Sequence, residues 1–562
     1  MPTLEEIIRK HVLKNAFDFG RANPGSVAGK VIADYPDAKK DMKSTMGKIN
    51  KIVGEVSKLS KSEIEEQMLA FTYVKKEEKK KGIELPGAEQ GKVVTRFPPE
   101  PAGFPHIGHA KAAWIDYEGA RAYDGKMVLR FDDTNPGKAS NEYVEAIKEG
   151  LAWLGVKWVE ETFTSDKIDE IYAFATKLVK DGNAYVCTCT QEQISEGRTK
   201  CKPCACREMS KEEHLERWNG MLDTKYEEGK ALLRFKGDLE SDNTVMRDPA
   251  LARIINKTHY RTGDKYKVWP GYDLAVVVMD HLEGITHPMR TKEYELRNEL
   301  YYAIFRALDL PEPKLIEFAR LSIKNAPVGK RLIRPLVEEG KVMGWDDPRL
   351  PTLAGLKRRG LLPEAIKRFV LSFGLSKVES EPDWEVLLSE NRKLLDPESD
   401  HYFFVEDPVK VVIKGLKGLK VKLKLHPKKD KGFRELEVRN TVYISGKDAK
   451  ALKPGEIFRL KDLCNVKLIG KADVIEAQYA GDSMVPKKLQ WVSEDYLECE
   501  VLKPGDLLTG DGEYDKKSLQ TVKGFCEAGC RNLKQSDIIQ FERFGFCRLD
   551  SNTKMLTFIY SC

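Results

Sequence analysis

RFPPEPAGFPHIGHAKAAW, residues 96–114, is the stretch whose reading decides the fold. Val93, Val94 and Thr95 just upstream are β-branched and predict a buried strand. Pro98, Pro99, Pro101, Gly103 and Pro105 break regular structure, so the strand should end in an extended loop. From about Ile107 onward, Ala110, Ala112, Ala113, Trp114 and Tyr117 suit a helix packed against a sheet. His106 and His109 bracket Gly108 at the mouth of that helix. A helix start offers free backbone N–H groups and the positive end of the dipole, and Gly108 should let a phosphate come close to the backbone. Two imidazoles there can donate hydrogen bonds to phosphate oxygens as charge builds in a transition state.

Working outward, residues 91–185 alternate strand-like and helical stretches, the pattern of a doubly wound α/β sheet. Met127 to Phe131 is a short buried strand ending in Asp132, Asp133, Thr134 and Asn135. Polar residues at the C-terminal end of a parallel strand lie where open α/β sheets bind ligands, so Asp132 can accept from a substrate ammonium group. The same residues would also make a turn or helix cap. Further on, Ala275 to Met279 is apolar throughout and suits a strand or a helix buried on both sides. Tyr272 and Arg290 flank it, and a phenol with a guanidinium can fix an acidic side chain, bidentately in the case of arginine. Taken alone, Arg290 reads as a surface arginine.

Between these two parts lies CTCTQEQISEGRTKCKPCAC, residues 187–206, with five cysteines. Cys187 with Cys189 and Cys204 with Cys206 form two Cys-x-Cys knuckles, and four thiolates of that kind match tetrahedral zinc. Cys201 is left over and can replace one of the four; unligated structural thiols are the other reading. Cys526 and Cys530 lack a second ligand pair and read as structural.

Residues 1–90 read as helical, with Leu4, Ile7, Ile8, Val12 and Leu13 on one buried face. Gly20, Pro24 and Gly25 interrupt the pattern, a second helical stretch runs from Ile52 to Met68, and the charged run Lys75 to Lys81 leads into LPGAEQG as a linker. GWDDPRLPTLAGLKRRGLLPEAIKRFVLSFGLSK (344–377) predicts helices bearing Lys357, Arg358, Arg359, Lys367 and Arg368, either a solvated face or one that follows an RNA backbone. Beyond about residue 400, short alternating β-rich runs with recurrent turn signals predict barrels, and the basic run 414–434 suits phosphate contact.

Composition bounds the compartment. Lys+Arg exceed Asp+Glu by 94 − 88 = 6 in 562 residues, an excess too modest to demand nucleic acid. MPTLEEIIRK carries no signal-peptide core, no run of about 18 apolar residues occurs, and 11 cysteines are too few for a disulfide scaffold. The expectation is a soluble cytoplasmic protein of three to four domains with no membrane partner.

His-x-x-His alone is weak. As His-Ile-Gly-His after a Pro-rich strand exit, it resembles the first signature of class I aminoacyl-tRNA synthetases, and RFPPEPxGxxHIGHAK resembles the archaeal and eukaryotic glutamyl/glutaminyl branch. LRFDDTNP is similar to that family's amino-acid-binding segment, and KVWPGYDLAVVVMDHLEGITHPMRTKEY (267–294) to the second half of its active site. The glutamyl branch places Arg at the position of Arg290 where the glutaminyl branch has Cys, and Arg96 matches the arginine opening the first signature. The second signature departs from pattern: relatives show Leu-Ser-Lys-Arg or Lys-Met-Ser-Lys-Ser, and this chain has Val328-Gly329-Lys330-Arg331, with Gly329 in place of serine.

The resemblance implies a glutamate–tRNA ligase acting on ATP, L-glutamate and tRNA(Glu), and dual charging of tRNA(Gln) is compatible with it. His106, His109 and Lys330 would be catalytic, with Gly108, Val328, Gly329 and Arg331 completing the ATP and Mg²⁺ site. Arg96, Glu100, Asp132, Tyr272 and Arg290 would hold glutamate, and Cys187, Cys189, Cys204 and Cys206 would bind Zn²⁺. The fold it implies is a Rossmann-type catalytic domain in two halves (91–185 and 231–343) around a zinc-bearing acceptor-binding insertion (186–230). An N-terminal helical extension (1–90), a helical linker domain (344–398) and β-barrel anticodon-binding domains (399–562) complete it, as a monomer. Glutamine–tRNA ligase, disfavoured by Arg290, and a catalytically weak tRNA-binding or scaffolding relative are the alternatives.

Overall fold

The computed structural model describes residues 3–19, 22–59, 61–68, 70–71 and 83–562, in two units, Met1–Lys81 and Gly82–Cys562. The first contains α1 (Leu4–Phe19), α2 (Pro24–Asp34), α3 (Met42–Val56) and α4 (Lys61–Met68) around Ile8, Val12, Leu13, Val27, Val31, Ile49 and Val56. Pro24 starts a helix: it occupies the first position of α2, where no N–H is needed, and the Asn23 side chain caps it by accepting from Ser26 N–H. The charged run Lys75 to Lys81 lies outside the described residues. LPGAEQG, read as linker, is packed on the second unit: Leu85 is buried with Val93, Ile115 and Met289, and its N–H donates to the Tyr123 hydroxyl.

In the second unit β1 (Val94–Phe97), β2 (Lys126–Phe131) and β3 (Glu160–Phe163) form a parallel sheet. Crossover helices α5 (Ile107–Arg121) and α6 (Asn141–Leu154) pack on it through Ile107, Ala110, Trp114, Leu129, Phe131, Ile147 and Leu151. An insertion follows, with α7 (Ile168–Asp181), β4 (Ala184–Cys187), α8 (Gln191–Thr199), α9 (Lys211–Leu222), β5 (Leu232–Phe235), β6 (Ala250–Ile254) and β7 (Val268–Pro270). Its four strands pair antiparallel in chain order over a core that includes Trp218 and Trp269.

The chain then returns through α10 (Tyr272–Leu282) to the parallel pair β8 (Met289–Thr291) and β9 (Ile316–Phe318), with α11 (Asn298–Ala307) between them. Ala275 to Met279, open between strand and helix in the sequence, is helical and buried all round. The Val94 carbonyl accepts N–H groups from Thr286 at 3.0 Å and His287 at 3.1 Å, which joins the two parallel sheets beside β1. Strand order therefore reverses there, and a crevice opens beyond the C-terminal end of β1.

Next come α12 (Lys330–Glu338), α13 (Leu353–Arg359), α14 (Pro363–Ser372) and α15 (Trp384–Leu395). The basic residues of this segment, open in the sequence between a solvated face and one that follows RNA, are mostly paired within the fold. Arg358 chelates Asp550, Arg359 is buried and donates to the Ser561 carbonyl, and Lys367 pairs with Glu118, while Arg368, paired with Glu364 one turn away, and Lys357 stay exposed. The first two of these pairs bind the helices to the C-terminal strands. Those strands form two near-barrel sheets of seven strands each, one enclosing Val411, Ile413, Phe458 and Trp491, the other Phe404, Val501, Phe541 and Phe558. Cys526 and Cys530 are fully buried in the second core beside Cys499 and Cys547.

One buried charge cluster ties the two halves of the catalytic sheet. Asp280 of α10 accepts Arg96 Nε at 3.2 Å and Arg130 Nη2 at 2.7 Å on one oxygen, and the Tyr301 hydroxyl at 2.7 Å on the other. Asp280→Ala would leave two buried guanidiniums short of their shared counter-charge. Such losses cost about 3–5 kcal/mol, so the urea midpoint of the first unfolding transition should fall accordingly.

Candidate active site

His106 is the N-cap of α5, and its Nδ1 accepts Gly108 N–H at 3.1 Å. His109 Nδ1 in turn accepts His106 N–H at 3.2 Å. A ring nitrogen that accepts carries no proton, so each neutral imidazole holds its proton on Nε2. Desolvation pushes both rings down, His109 to about 4 and His106 well below its ordinary value. At neutral pH the two are therefore fixed Nε2–H donors.

This changes the expectation of free backbone N–H groups at the helix mouth. Ile107 N–H is taken by the Pro351 carbonyl at 2.9 Å and Gly108 N–H by the His106 ring, so anion contact falls to the imidazoles. Gly108 is needed for the same reason. A Cβ there would stand 3.0 Å from His106 Cε1 and 3.5 Å from the Leu321 carbonyl oxygen.

The imidazoles open onto a cleft of about 830 Å³ lined also by Glu100, Phe104, Lys138, Tyr143, Lys330, Arg331 and Arg334. Lys330 is half-buried with Nζ 4.7 Å from the Tyr143 ring centre, Arg331 is exposed at the rim, and Val328 is buried at the loop base. Burial pushes the Glu100 carboxyl up, opposed by Lys138 and Lys330. Gly329 has φ +95°, a backbone region that favours glycine, although a Cβ there would meet nothing within 4 Å. Backbone conformation, and not crowding, is what favours glycine here. The loop is braced from the C-terminal half: the Asn325 carbonyl accepts Leu508 N–H at 3.1 Å, and Asn325 Nδ2 donates to Asp506 at 3.0 Å. Ile333 and Leu336 of α12 share a core with Leu507.

Beyond the histidines lies a second group. Arg290 on β8 is 7 % exposed; it donates from Nη1 to the Tyr272 hydroxyl at 3.3 Å and from Nη2 to Asn298 Oδ1, while its buried Nε has no partner. Tyr272, at the head of α10, packs on Tyr294 with ring centres 4.8 Å apart and planes tilted by 39°. Asp132 follows β2 and accepts the Thr164 hydroxyl at 2.9 Å; burial pushes its carboxyl up while Arg130 holds it down. Arg96 is close enough to act electrostatically on both Tyr272 and Asp132, but its Nε goes to Asp280 and its Nη1 to the Met289 carbonyl at 2.7 Å. Sequence reading singled out neither Asp280 nor Asn298, Glu317 and Thr164. Only Asp280 left a local signal, a carboxylate closing the apolar run VVVM.

In the insertion, the ligand atoms of Cys187, Cys189, Cys204 and Cys206 all lie within 4.8 Å of one another, and Cys201 is outside the group. The 3.9 Å Sγ separations of Cys187–Cys204 and Cys189–Cys206 are near the about 3.8 Å edge of a tetrahedron with 2.3 Å metal–sulfur bonds. Arg234 and Arg217 point a guanidinium nitrogen at Cys187 and Cys206 respectively, so positive charge faces the thiols.

Residues 92–397 match the family model for tRNA synthetases class I (E and Q), catalytic domain; residues 399–480 and 488–550 match two models for the anti-codon binding domain of the same class. The chain belongs to the class I tRNA synthetases (E and Q). Similar relatives are the glutamate–tRNA ligases of Nitrosopumilus maritimus, 42% identical over 559 residues covering 98% of each chain, and of Cenarchaeum symbiosum, 42% identical over 550 residues covering 97% of each. A solved glutamate tRNA ligase from Elizabethkingia meningosepticum is 23% identical and covers 55% of this chain and 70% of its own, with a TM-score of 0.41. The catalytic-domain match of this class I synthetase contains both histidines, the second-signature loop, the Arg290 group and the cysteine cluster. Among the described residues no helix is long and apolar enough to cross a membrane.

The lowered His109 value has a consequence for stability. The unfolded chain binds a proton near pH 6.5 and the folded ring only near 4, so between these values the unfolded state holds more protons. The contribution is fully present above pH 6.5 and lost as pH falls to about 4. Replacing His109 with Gln should flatten that part of the acid limb, read as the urea midpoint against pH.

Proposed function

We propose that this chain is a glutamate–tRNA ligase, which joins L-glutamate to AMP at the expense of ATP and passes the glutamyl group to the terminal adenosine of tRNA(Glu). The observation that carries the reading is Arg290: a buried guanidinium with a Tyr272 partner, an unpartnered Nε, and no carboxylate of the described residues within ion-pair distance, since Asp273, which acts on it electrostatically, is paired with Arg297. A buried positive charge without a counter-ion is costly, and a substrate carboxylate would supply one.

In the first step a glutamate α-carboxylate oxygen attacks the α-phosphorus of ATP, and the bond to the bridging oxygen breaks with release of pyrophosphate. His106 and His109 donate from Nε2 to phosphate oxygens, and Lys330 brings positive charge from the second-signature loop, with Arg331 at the rim. Gly108 keeps the His106 ring in its capping position, and Val328 and Gly329 shape the loop. Mg²⁺, when bound with ATP, neutralises phosphate charge. Asp132 accepts from the substrate ammonium group, Arg290 and Tyr272 take the side-chain carboxylate, and Arg96 and Glu100 set the field around them. A 2′-hydroxyl of the tRNA terminal adenosine then attacks the glutamyl carbonyl, and AMP leaves. The two C-terminal sheets would read the anticodon arm.

Cys187, Cys189, Cys204 and Cys206 would hold a structural zinc ion, which supplies in this loop-rich segment the cross-linking that a core gives elsewhere. Chelator-washed protein should retain one zinc per chain, and Cys187→Ser or Cys204→Ser should lose it. Washed protein without metal and with all of these thiols freely titrating would remove zinc from the assignment.

A neutral amide in place of the substrate carboxylate would present an NH₂ donor to the guanidinium and take away its counter-charge. That mismatch costs on the order of 1–3 kcal/mol, so discrimination of roughly five- to 150-fold rests on Arg290. Arg290→Cys should depress glutamate activation by about that factor more than glutamine activation, measured as kcat/KM in pyrophosphate exchange with tRNA present. An unchanged ratio would mean that Arg290 does not read the side chain.

A further inference from the structure

Arg290 on β8 and Glu317 on β9 are register partners in the parallel pair. Side by side on neighbouring strands, a guanidinium and a carboxylate ordinarily close into an ion pair. Here Asn298, the first residue of α11, stands between them. Its Oδ1 accepts from Arg290 Nη2, and its Nδ2 donates to Glu317 Oε1 at 2.7 Å. This orientation of the amide is fixed by chemistry, since a guanidinium only donates and a carboxylate only accepts. The other Glu317 oxygen takes Lys377 Nζ, so Glu317 is neutralised from the far side. Arg290 thereby remains without any carboxylate partner among the described residues, although a carboxylate occupies the next strand.

We propose that Asn298 is a positioning residue for substrate specificity: it orients Arg290 and keeps Glu317 off its guanidinium, so that the charge stays available to the substrate's side-chain carboxylate. The inference rests on the reading of Arg290 given above. Asn298 is suited to this because its neutral amide points oxygen at the cation and nitrogen at the anion, satisfying both without neutralising either. Alanine would leave a gap across which Glu317 can reach the guanidinium. Aspartate would place a competing carboxylate directly on it.

The test is pyrophosphate exchange with glutamate and with glutamine, tRNA present, on Asn298→Asp, Asn298→Ala, Asn298→Ala with Glu317→Gln, and Arg290→Cys, each checked for an unchanged thermal midpoint. Asn298→Asp should raise KM for glutamate by about tenfold or more with kcat within about threefold, and lower the glutamate-to-glutamine ratio by about tenfold. Asn298→Ala should move the same quantities in the same direction. Adding Glu317→Gln to it should recover most of the loss, because no carboxylate is then left to capture Arg290. A merely structural role for Asn298 predicts no such rescue. If Arg290→Cys collapses the ratio while Asn298→Asp leaves it unchanged, or if the double variant is as impaired as Asn298→Ala, the positioning role is overturned and the reading of Arg290 stands. If Arg290→Cys leaves the ratio unchanged, that reading falls, and this inference with it.

Discussion

Two buried guanidiniums, Arg96 and Arg130, share one oxygen of Asp280, and the seating of α10 against β1 and β2 depends on that contact. It joins β1, β2 and α10, elements far apart in the chain, and it does so in a place water does not reach. A charge cluster of this kind is a poor source of net stability but a strict source of geometry, because any displacement leaves an uncompensated charge. Tyr301 takes the second Asp280 oxygen, and its ring centre lies 5.1 Å from the Arg290 guanidinium. The cluster thus both pairs off Arg96 and supports Arg290, which is left unpaired. The division leaves Arg290, beside two guanidiniums that are paired off, as the one of the three without a carboxylate partner among the described residues.

The phosphate end follows a different rule. Helix N-termini usually present backbone donors to anions, but here the first N–H groups of α5 are consumed by Pro351 and by the His106 ring. The two histidines replace them. Each ring spends Nδ1 on the backbone and keeps Nε2–H for the cleft, and desolvation keeps both uncharged. A neutral donor of fixed direction can strengthen its bond as negative charge grows on an oxygen without demanding a counter-ion beforehand. Positive charge at this cleft comes instead from Lys330 at the start of α12.

How much of this was legible depended on how local the cause was. The strand, loop and helix of residues 93–117 are written in β-branched, proline and alanine positions, and the structure has them there. The cysteine knuckles were legible too, but not which four thiols meet, since that depends on how the segment folds back. The free N–H groups at the helix mouth were misjudged because Pro351, distant in sequence, supplies the carbonyl. The basic face of residues 357–368 was legible only in part: Lys357 and Arg368 are exposed, but the partner of Arg359 is at Ser561 and that of Arg358 at Asp550, both distant in sequence. Asn298 and Glu317 carry no periodic or motif signal, and their meaning appears only when β8 pairs with β9.

The second-signature loop brings these strands of argument together. At its base, Asn325 adopts φ +57° and is held from both sides, by Leu508 N–H on its carbonyl and by Asp506 on its amide. At its other end α12 is anchored through Ile333 and Leu336 to Leu507. Between these anchors Gly329 holds a backbone conformation that other residues resist, with open space where a side chain would stand. A loop fixed at both ends and permissive at its centre can place Lys330 against phosphate oxygens without dragging the cleft with it. Both anchors, however, belong to the segment around 505–518, within the half of the chain whose sheets match the anti-codon binding models. The position of the cationic residue at the cleft is therefore tied mechanically to the C-terminal half, through one backbone hydrogen bond, one side-chain hydrogen bond and one small apolar core.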